Sequence, residues 1–159
     1  MEKILIIGGG QAGFSCAAKL RTSGFEGKIS IACEENFFPY QRPPLSKKYL
    51  TGQFERNRLL LRSEEYYKKN NIEVLLSNKA AEIKKEEKEV VFQAGESMTY
   101  TKLVLSTGSS SVKIFPKESR NCKNIYYLRN LNDADKLKRC LEPNKKILVI
   151  GGGYLGLEI

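Results

Sequence analysis

Apolar and polar positions alternate along this chain in a way that spells out most of its elements. Residues 3–7 hold a run of consecutive apolar side chains, the pattern of a parallel strand covered on both faces. Ala12, Phe14, Cys16, Ala17 and Leu20 then recur at helical spacing, and Ser23-Gly24 ends that helix. Small Ala17 and Ala18 let it lie close to a sheet. Residues 28–32 form the next strand, so the opening third of the chain begins with a βαβ unit. Residues 45–50 read as a short helix after two prolines, residues 59–62 as a short strand, and Ser63 as the cap of a helix reaching Asn70. A strand follows at 72–76. Residues 80–83 and 89–92 alternate as a hairpin around a charged tip, Gly95-Glu96-Ser97 turns the chain back, and 100–106 is a further strand. Residues 109–123, with Pro116 among them, read as linker and 125–128 as a strand. Leu131, Ala134, Leu137 and Leu141 share one helical face, with Asn130 or Asn132 as cap and Pro143-Asn144 as the break. Residues 145–150 are another strand. The alternation predicts an α/β fold, a parallel sheet with an antiparallel hairpin layer laid against it.

The first strand and helix are joined by Gly8, Gly10 and Gly13 in the spacing G-x-G-x-x-G. In a dinucleotide-binding fold the first glycine permits a tight turn, the second lets the backbone approach a pyrophosphate, and the third lets helix and strand pack closely. The helix N-terminus supplies N–H groups and partial positive charge to the phosphates. An acid about 20 residues further on should accept hydrogen bonds from a ribose. Glu34 lies 21 residues after Gly13 at the end of the second strand, with Glu35 as the fallback. The same phrase returns at Gly151, Gly153 and Gly156, so the sequence predicts a protein that holds two dinucleotides. The chain stops three residues after the second phrase, which reads as the opening piece of a longer enzyme.

Composition narrows the picture. No apolar run approaches the roughly 18–20 residues of a membrane span. Met1-Glu2-Lys3 leads straight into a strand without a signal peptide, so a cytoplasmic location is expected. The 27 Lys+Arg against 18 Asp+Glu leave a charge of +9. That is either a lysine-rich solvated surface or an electrostatic face for an acidic protein partner. Nucleic acid is disfavoured because the basic residues are dispersed rather than interleaved with aromatics in one patch. Cys16, Cys33, Cys122 and Cys140 form no C-x-x-C pair, and histidine is absent, so free thiols and no metal site are expected.

The segment Pro39-Tyr40-Gln41-Arg42-Pro43-Pro44-Leu45-Ser46-Lys47 resembles the FAD-contacting segment of the ferredoxin-reductase-like FAD/NAD(P)-dependent pyridine nucleotide oxidoreductases. That family includes the putidaredoxin and rhodocoxin reductases and, distantly, apoptosis-inducing factor. The likeness continues through Ser106-Thr107-Gly108, where relatives carry Ala for Ser, then Tyr127-Leu128-Arg129 before a helix, and the second glycine phrase ending in Gly156-Leu157-Glu158. It implies a Rossmann-like FAD-binding domain over residues 1–112, a connecting segment over 113–143, and the first strand of an inserted NAD(P)-binding domain over 144–159. Carried over position by position, Gln11 and Ala12 with their glycine neighbours line the FAD pyrophosphate, and Glu34 holds the ribose. Arg42, Thr107, Gly108 and Arg129 contact the cofactor, and Ala80 stands by the adenine. Lys47 lies beside the isoalloxazine and Glu158 pairs with it; Gly151, Gly153 and Gly156 serve NAD(P)H. A fixed ammonium beside the ring stabilises the negative charge that reduction places there, and a carboxylate orients the ammonium.

The function implied is transfer of electrons from NAD(P)H through FAD to an acidic ferredoxin-type iron–sulfur protein. A quinone, ascorbyl radical, dioxygen or a disulfide is the alternative acceptor, and a non-catalytic dinucleotide-binding signalling module is the alternative class. NADH and NADPH are not distinguished, nor is the oligomeric state. The piece alone is expected to bind FAD weakly or not at all and to lack turnover.

Overall fold

The computed structural model describes residues 1–114, 122, 124–141 and 144–159. The chain divides into two compact units, residues 1–40 with 60–108, and residues 41–59 with 109–159.

The first unit runs β1 (Lys3–Ile7), α1 (Gln11–Thr22), β2 (Lys28–Ala32), α2 (Glu64–Lys69), β3 (Ile72–Leu75), β4 (Ala80–Lys84), β5 (Glu89–Phe92), β6 (Ser97–Thr99) and β7 (Lys102–Leu105). Four strands make a parallel sheet in the order β3-β2-β1-β7, and β4-β5-β6 make an antiparallel one. Successive side chains of a strand point to opposite faces, so each apolar run feeds two cores. Ile4, Ile6, Ile29 and Ile31 pack with Phe14 and Ala17 of α1 and Tyr67 of α2. Leu5, Ile7 and Ala32 pack with Val90 and Phe92 of β5. The hairpin therefore lies against the parallel sheet, as the alternation predicts.

Arg21 fastens the end of α1. Its Nε donates to the carbonyl of Asn70 at 2.8 Å, and Nη1 donates to those of Phe25 and Gly27 at 2.6 and 2.8 Å. Nη2 donates to the carbonyl of Asn71 at 2.7 Å. One guanidinium thus holds the helix end, the turn before β2 and the turn before β3.

The second unit contains α3 (Leu131–Cys140), α4 (Tyr154–Glu158), and two single 3₁₀ turns at Pro43–Ser46 and Arg56–Leu59. A capping box starts α3: the Asn130 side chain accepts from the Asp133 amide, and the Asp133 carboxylate accepts from the Asn130 amide. Leu131, Ala134 and Leu137 are the buried stripe. Beside that stripe, half-buried Asp135 accepts hydrogen bonds from the Tyr49 hydroxyl and from Arg56.

Several local expectations are corrected. The helix expected at 45–50 is a 3₁₀ turn at Pro43–Ser46 followed by turns, because proline at its first positions favours the tighter start and Lys47 leaves helical geometry. The strand expected at 59–62 is reduced, among the described residues, to one bridge between Tyr40 and Leu60. Ser97, expected in a turn, opens β6 instead. The runs at 125–128 and 145–150 have extended or irregular backbone with no strand ladder among the described residues. Leu148 in the second run is 84% exposed. Residues 109–114 of the linker expected at 109–123 have no helix or strand, and its part around Pro116, like Pro143 of the break, lies outside the described residues. No helix among the described residues is long and apolar enough to cross a membrane.

Candidate cofactor site

At the first glycine turn Gly8 has φ +116°, a conformation that side chains rarely adopt. A Cβ there would lie 2.2 Å from the Ser106 carbonyl oxygen. A Cβ at Gly13 would lie 2.1 Å from the Gly8 carbonyl oxygen, so the first helical turn rests directly on the strand end. Gly9, which the spacing rule leaves free, is equally constrained: its Cβ would meet the Cys33 sulfur at 2.3 Å. Burial, and then the negative charge of Glu35, push that thiol up to about 12. Gly10 is different. It is the N-cap of α1, with φ −87° and ψ −172°, and a Cβ there would meet nothing within 4 Å. Among the described residues, no atom asks for glycine at this position. The open space above the helix start is where a pyrophosphate would need the backbone bare. The turn therefore fits the group that its sequence implies.

Ser106, the departure from the family's Ala, braces the turn. Its hydroxyl lies 3.0 Å from the Ile7 carbonyl oxygen and 3.2 Å from that of Gly8, and donates toward both. Thr107 and Gly108 follow, exposed, with Gly108 at φ +69°. Gln11 and Ala12 are exposed at the start of α1, and the Gln11 amide donates to Ser15 at 3.3 Å. At the end of β2 the two acids separate. Glu35 accepts a hydrogen bond at 2.6 Å from the hydroxyl of the buried Tyr40. Glu34 is exposed and pairs with Lys79 at 2.7 Å. Ala80 opens β4, opposite Phe92.

The second glycine turn repeats the backbone geometry of the first, although a Cβ at Gly151 or Gly152 would meet nothing within 4 Å. Gly151 has φ +114°, and a Cβ at Gly156 would lie 2.1 Å from the Gly151 carbonyl oxygen. Gly153 caps α4 with φ −76° and ψ 177°, and a Cβ there would meet nothing within 4 Å. The turn geometry is thus encoded locally, since it forms without a ladder on the preceding run among the described residues.

Within the second unit the structure brings together residues far apart in sequence. Lys47 Nζ lies 2.7 Å from Glu158 Oε1, and the Ser46 hydroxyl donates to Glu158 Oε2 at 2.6 Å. The carboxylate is gripped at both oxygens, by a cation and by a buried neutral donor. Lys47, and then Ser46, hold the Glu158 carboxyl below the usual carboxylate range. The side chains of Lys47 and Glu158 are 51% and 31% exposed. An ion pair so open to water adds little to stability. Its value lies in orientation: one of the three ammonium donors is committed to Glu158 and the others remain for a ligand. Arg42 and Arg129 also meet, Arg42 Nη1 donating to the Arg129 carbonyl at 3.0 Å. Arg129 in turn donates through Nε to the Ser109 carbonyl at 2.8 Å.

Residues 2–159 match the pyridine nucleotide-disulphide oxidoreductase family. The chain belongs to this family. It is 38% identical over 156 residues to the rubredoxin–NAD(+) reductase of Pseudomonas putida, across 98% of this chain and 40% of that protein. Among solved structures it is similar to the reductase in the covalent putidaredoxin reductase–putidaredoxin complex. There the TM-score is 0.91 at 35% identity, over 99% of this chain and 38% of that one. The NADH:rubredoxin oxidoreductase of Clostridium acetobutylicum gives 0.85 at 36% identity, over 98% of this chain and 40% of that one. The chain thus spans about two fifths of the length of the relatives it matches. The similarity accounts for the fold: a Rossmann-like parallel sheet with an antiparallel layer.

Proposed function

We propose that this chain belongs to an FAD-dependent NAD(P)H oxidoreductase whose electrons pass to a small acidic iron–sulfur protein. The observation that carries the reading is the Lys47–Glu158 pair. The resemblance assigns these two residues, 111 positions apart, to one task at the flavin, and they lie 2.7 Å from each other. Held by these residues, FAD would supply the hydride-accepting and one-electron chemistry that links NAD(P)H to the acceptor.

Each residue then has a part. The amides of Gly10, Gln11, Ala12 and Gly13 and the N-terminus of α1 bind the pyrophosphate. Glu34 accepts hydrogen bonds from the adenosine ribose; its exposure supports it over Glu35, which the Tyr40 hydroxyl already engages. Ala80 lines the adenine through its backbone. Thr107, Gly108, Arg42 and Arg129 border the cofactor. Lys47 holds its ammonium at the ring and stabilises the charge that reduction creates, while Glu158 orients Lys47. Ser46, which the sequence did not single out, fixes Glu158. Gly151, Gly153 and Gly156 take the NAD(P)H pyrophosphate, and the NAD(+) in the relatives' names favours NADH as the donor. The boundaries 1–112, 113–143 and 144–159 remain our domain assignment, and the cytoplasm our assigned location. The charge of +9 supports an acidic acceptor.

The acceptor is tested by stopped-flow on the full-length protein after reduction by NADH. Re-oxidation by an acidic ferredoxin or rubredoxin should outpace re-oxidation by a quinone or by dioxygen at equal concentration. Fast re-oxidation by quinone with indifference to every iron–sulfur protein tried would replace this acceptor with the quinone.

A further inference from the structure

Residues 41–59 carry five basic side chains and one acidic one, Glu55. Their cations are held in different ways. Lys47 and Arg56 are ion-paired, with Glu158 at 2.7 Å and Asp135 at 2.6 Å. Arg42 is turned to the Arg129 carbonyl. Lys48 and Arg58 instead share an aromatic ring. Lys48 Nζ lies 5.4 Å from the centroid of Phe54, and Arg58 Cζ lies 5.2 Å from it. From α3, Lys138 Nζ stands 5.1 Å from the centroid of Tyr49. Lys48, Arg58 and Lys138 are exposed, and none of them forms an ion pair among the described residues.

The two modes of holding a cation differ in what they leave outside. An ion pair orders the cation and cancels most of its field. A ring face orders it, for about 0.5–1 kcal/mol at an exposed site, and leaves its whole charge to the solvent. Gathering two cations on one ring also brings like charges together, which disfavours the folded state by itself. Such an arrangement gains when an anionic surface arrives, because ordered, un-neutralised cations require little rearrangement to meet carboxylates. It suits a protein partner better than a nucleic acid, since the Phe54 ring is already engaged by cations and is not offered for stacking on a base.

We propose that Phe54 with Lys48, Arg58 and Lys138 forms the docking surface for the acidic electron acceptor. This rests on the function proposed above, and it locates the partner: Lys48 is the chain neighbour of Lys47, the residue assigned to the flavin ring. Partner and ring are then served by adjacent residues of one short segment.

The test uses the full-length protein with FAD bound, NADH as donor, and two acceptors, an acidic two-iron ferredoxin and ferricyanide. The triple variant Lys48→Gln/Arg58→Gln/Lys138→Gln should raise KM for ferredoxin about tenfold and flatten its dependence on ionic strength. Its kcat with ferricyanide should stay unchanged. Phe54→Leu keeps every charge but frees Lys48 and Arg58, and should raise the ferredoxin KM by about two- to threefold. A control triple at exposed lysines of the first unit, Lys19→Gln/Lys69→Gln/Lys85→Gln, should do neither. Equal ferredoxin KM shifts in the two triples overturn the surface, as does a defect seen only in binding a DNA oligonucleotide. An unimpaired Lys48/Arg58/Lys138 triple beside an active wild type overturns the surface alone. A wild type that turns over ferricyanide but reduces no acidic ferredoxin overturns the acceptor reading, and the surface with it.

Discussion

Gly8, Gly9 and Gly13 are held to glycine by the protein's own atoms, whereas Gly10 is not. This separates folding from binding inside one turn. Gly8→Ala forces a side chain into a left-handed backbone and against a carbonyl, and should cost about 3 kcal/mol of stability from strain and overpacking together. Gly10→Ala fits its φ and ψ and its open space, and should change stability by less than about 0.5 kcal/mol. It should nonetheless weaken FAD binding on the order of tenfold or more, because a methyl group then stands where the pyrophosphate approaches the backbone. Thermal unfolding and flavin titration of the two full-length variants check both arms. Equal loss of stability in both, or unchanged flavin affinity in Gly10→Ala, contradicts the division. The spacing of the three motif glycines and the count to Glu34 were legible because both follow from local geometry. Gly9 was not, since the sulfur that forbids a side chain there comes from Cys33 at the end of β2. Ser46 was equally hidden, since its acceptor lies 112 residues away.

Elements follow the same logic. α3 was legible to within a residue or so because a helix satisfies its own backbone, and its apolar stripe and its cap at Asn130 are all local. Strands depend on neighbours. Residues 145–150 have strand composition, but no partner among the described residues lies alongside to make them a strand. β6 was missed because three residues beside a glycine turn carry too little pattern. The Arg21 clamp, too, joins elements that sequence order keeps apart. Lysine there has one ammonium where the guanidinium reaches four carbonyls. Arg21→Lys should lower stability by about 2 kcal/mol, measured by urea unfolding. A change under about 0.5 kcal/mol would mean that the clamp is redundant.

At the scale of the molecule, each of the two compact units carries its own equipment. The first unit supplies a glycine turn whose one unconstrained glycine faces open space, and an exposed acid at the right strand end. The second supplies an ammonium fixed by a gripped carboxylate, a second copy of the glycine turn, and a group of cations held by aromatic rings. The family, the two turns and the resemblance carried by residues 39–47 support the proposed reading, a flavoprotein that NAD(P)H reduces. The most direct measurement is an anaerobic titration of the purified full-length protein with NADH, followed by its visible absorbance spectrum. The account predicts stoichiometric bound FAD whose absorbance bleaches in proportion to the NADH added, with Lys47→Met retaining the flavin but slowing its reduction. A protein purified without flavin that cannot be reconstituted with FAD, or a bound flavin that neither NADH nor NADPH bleaches, would contradict it.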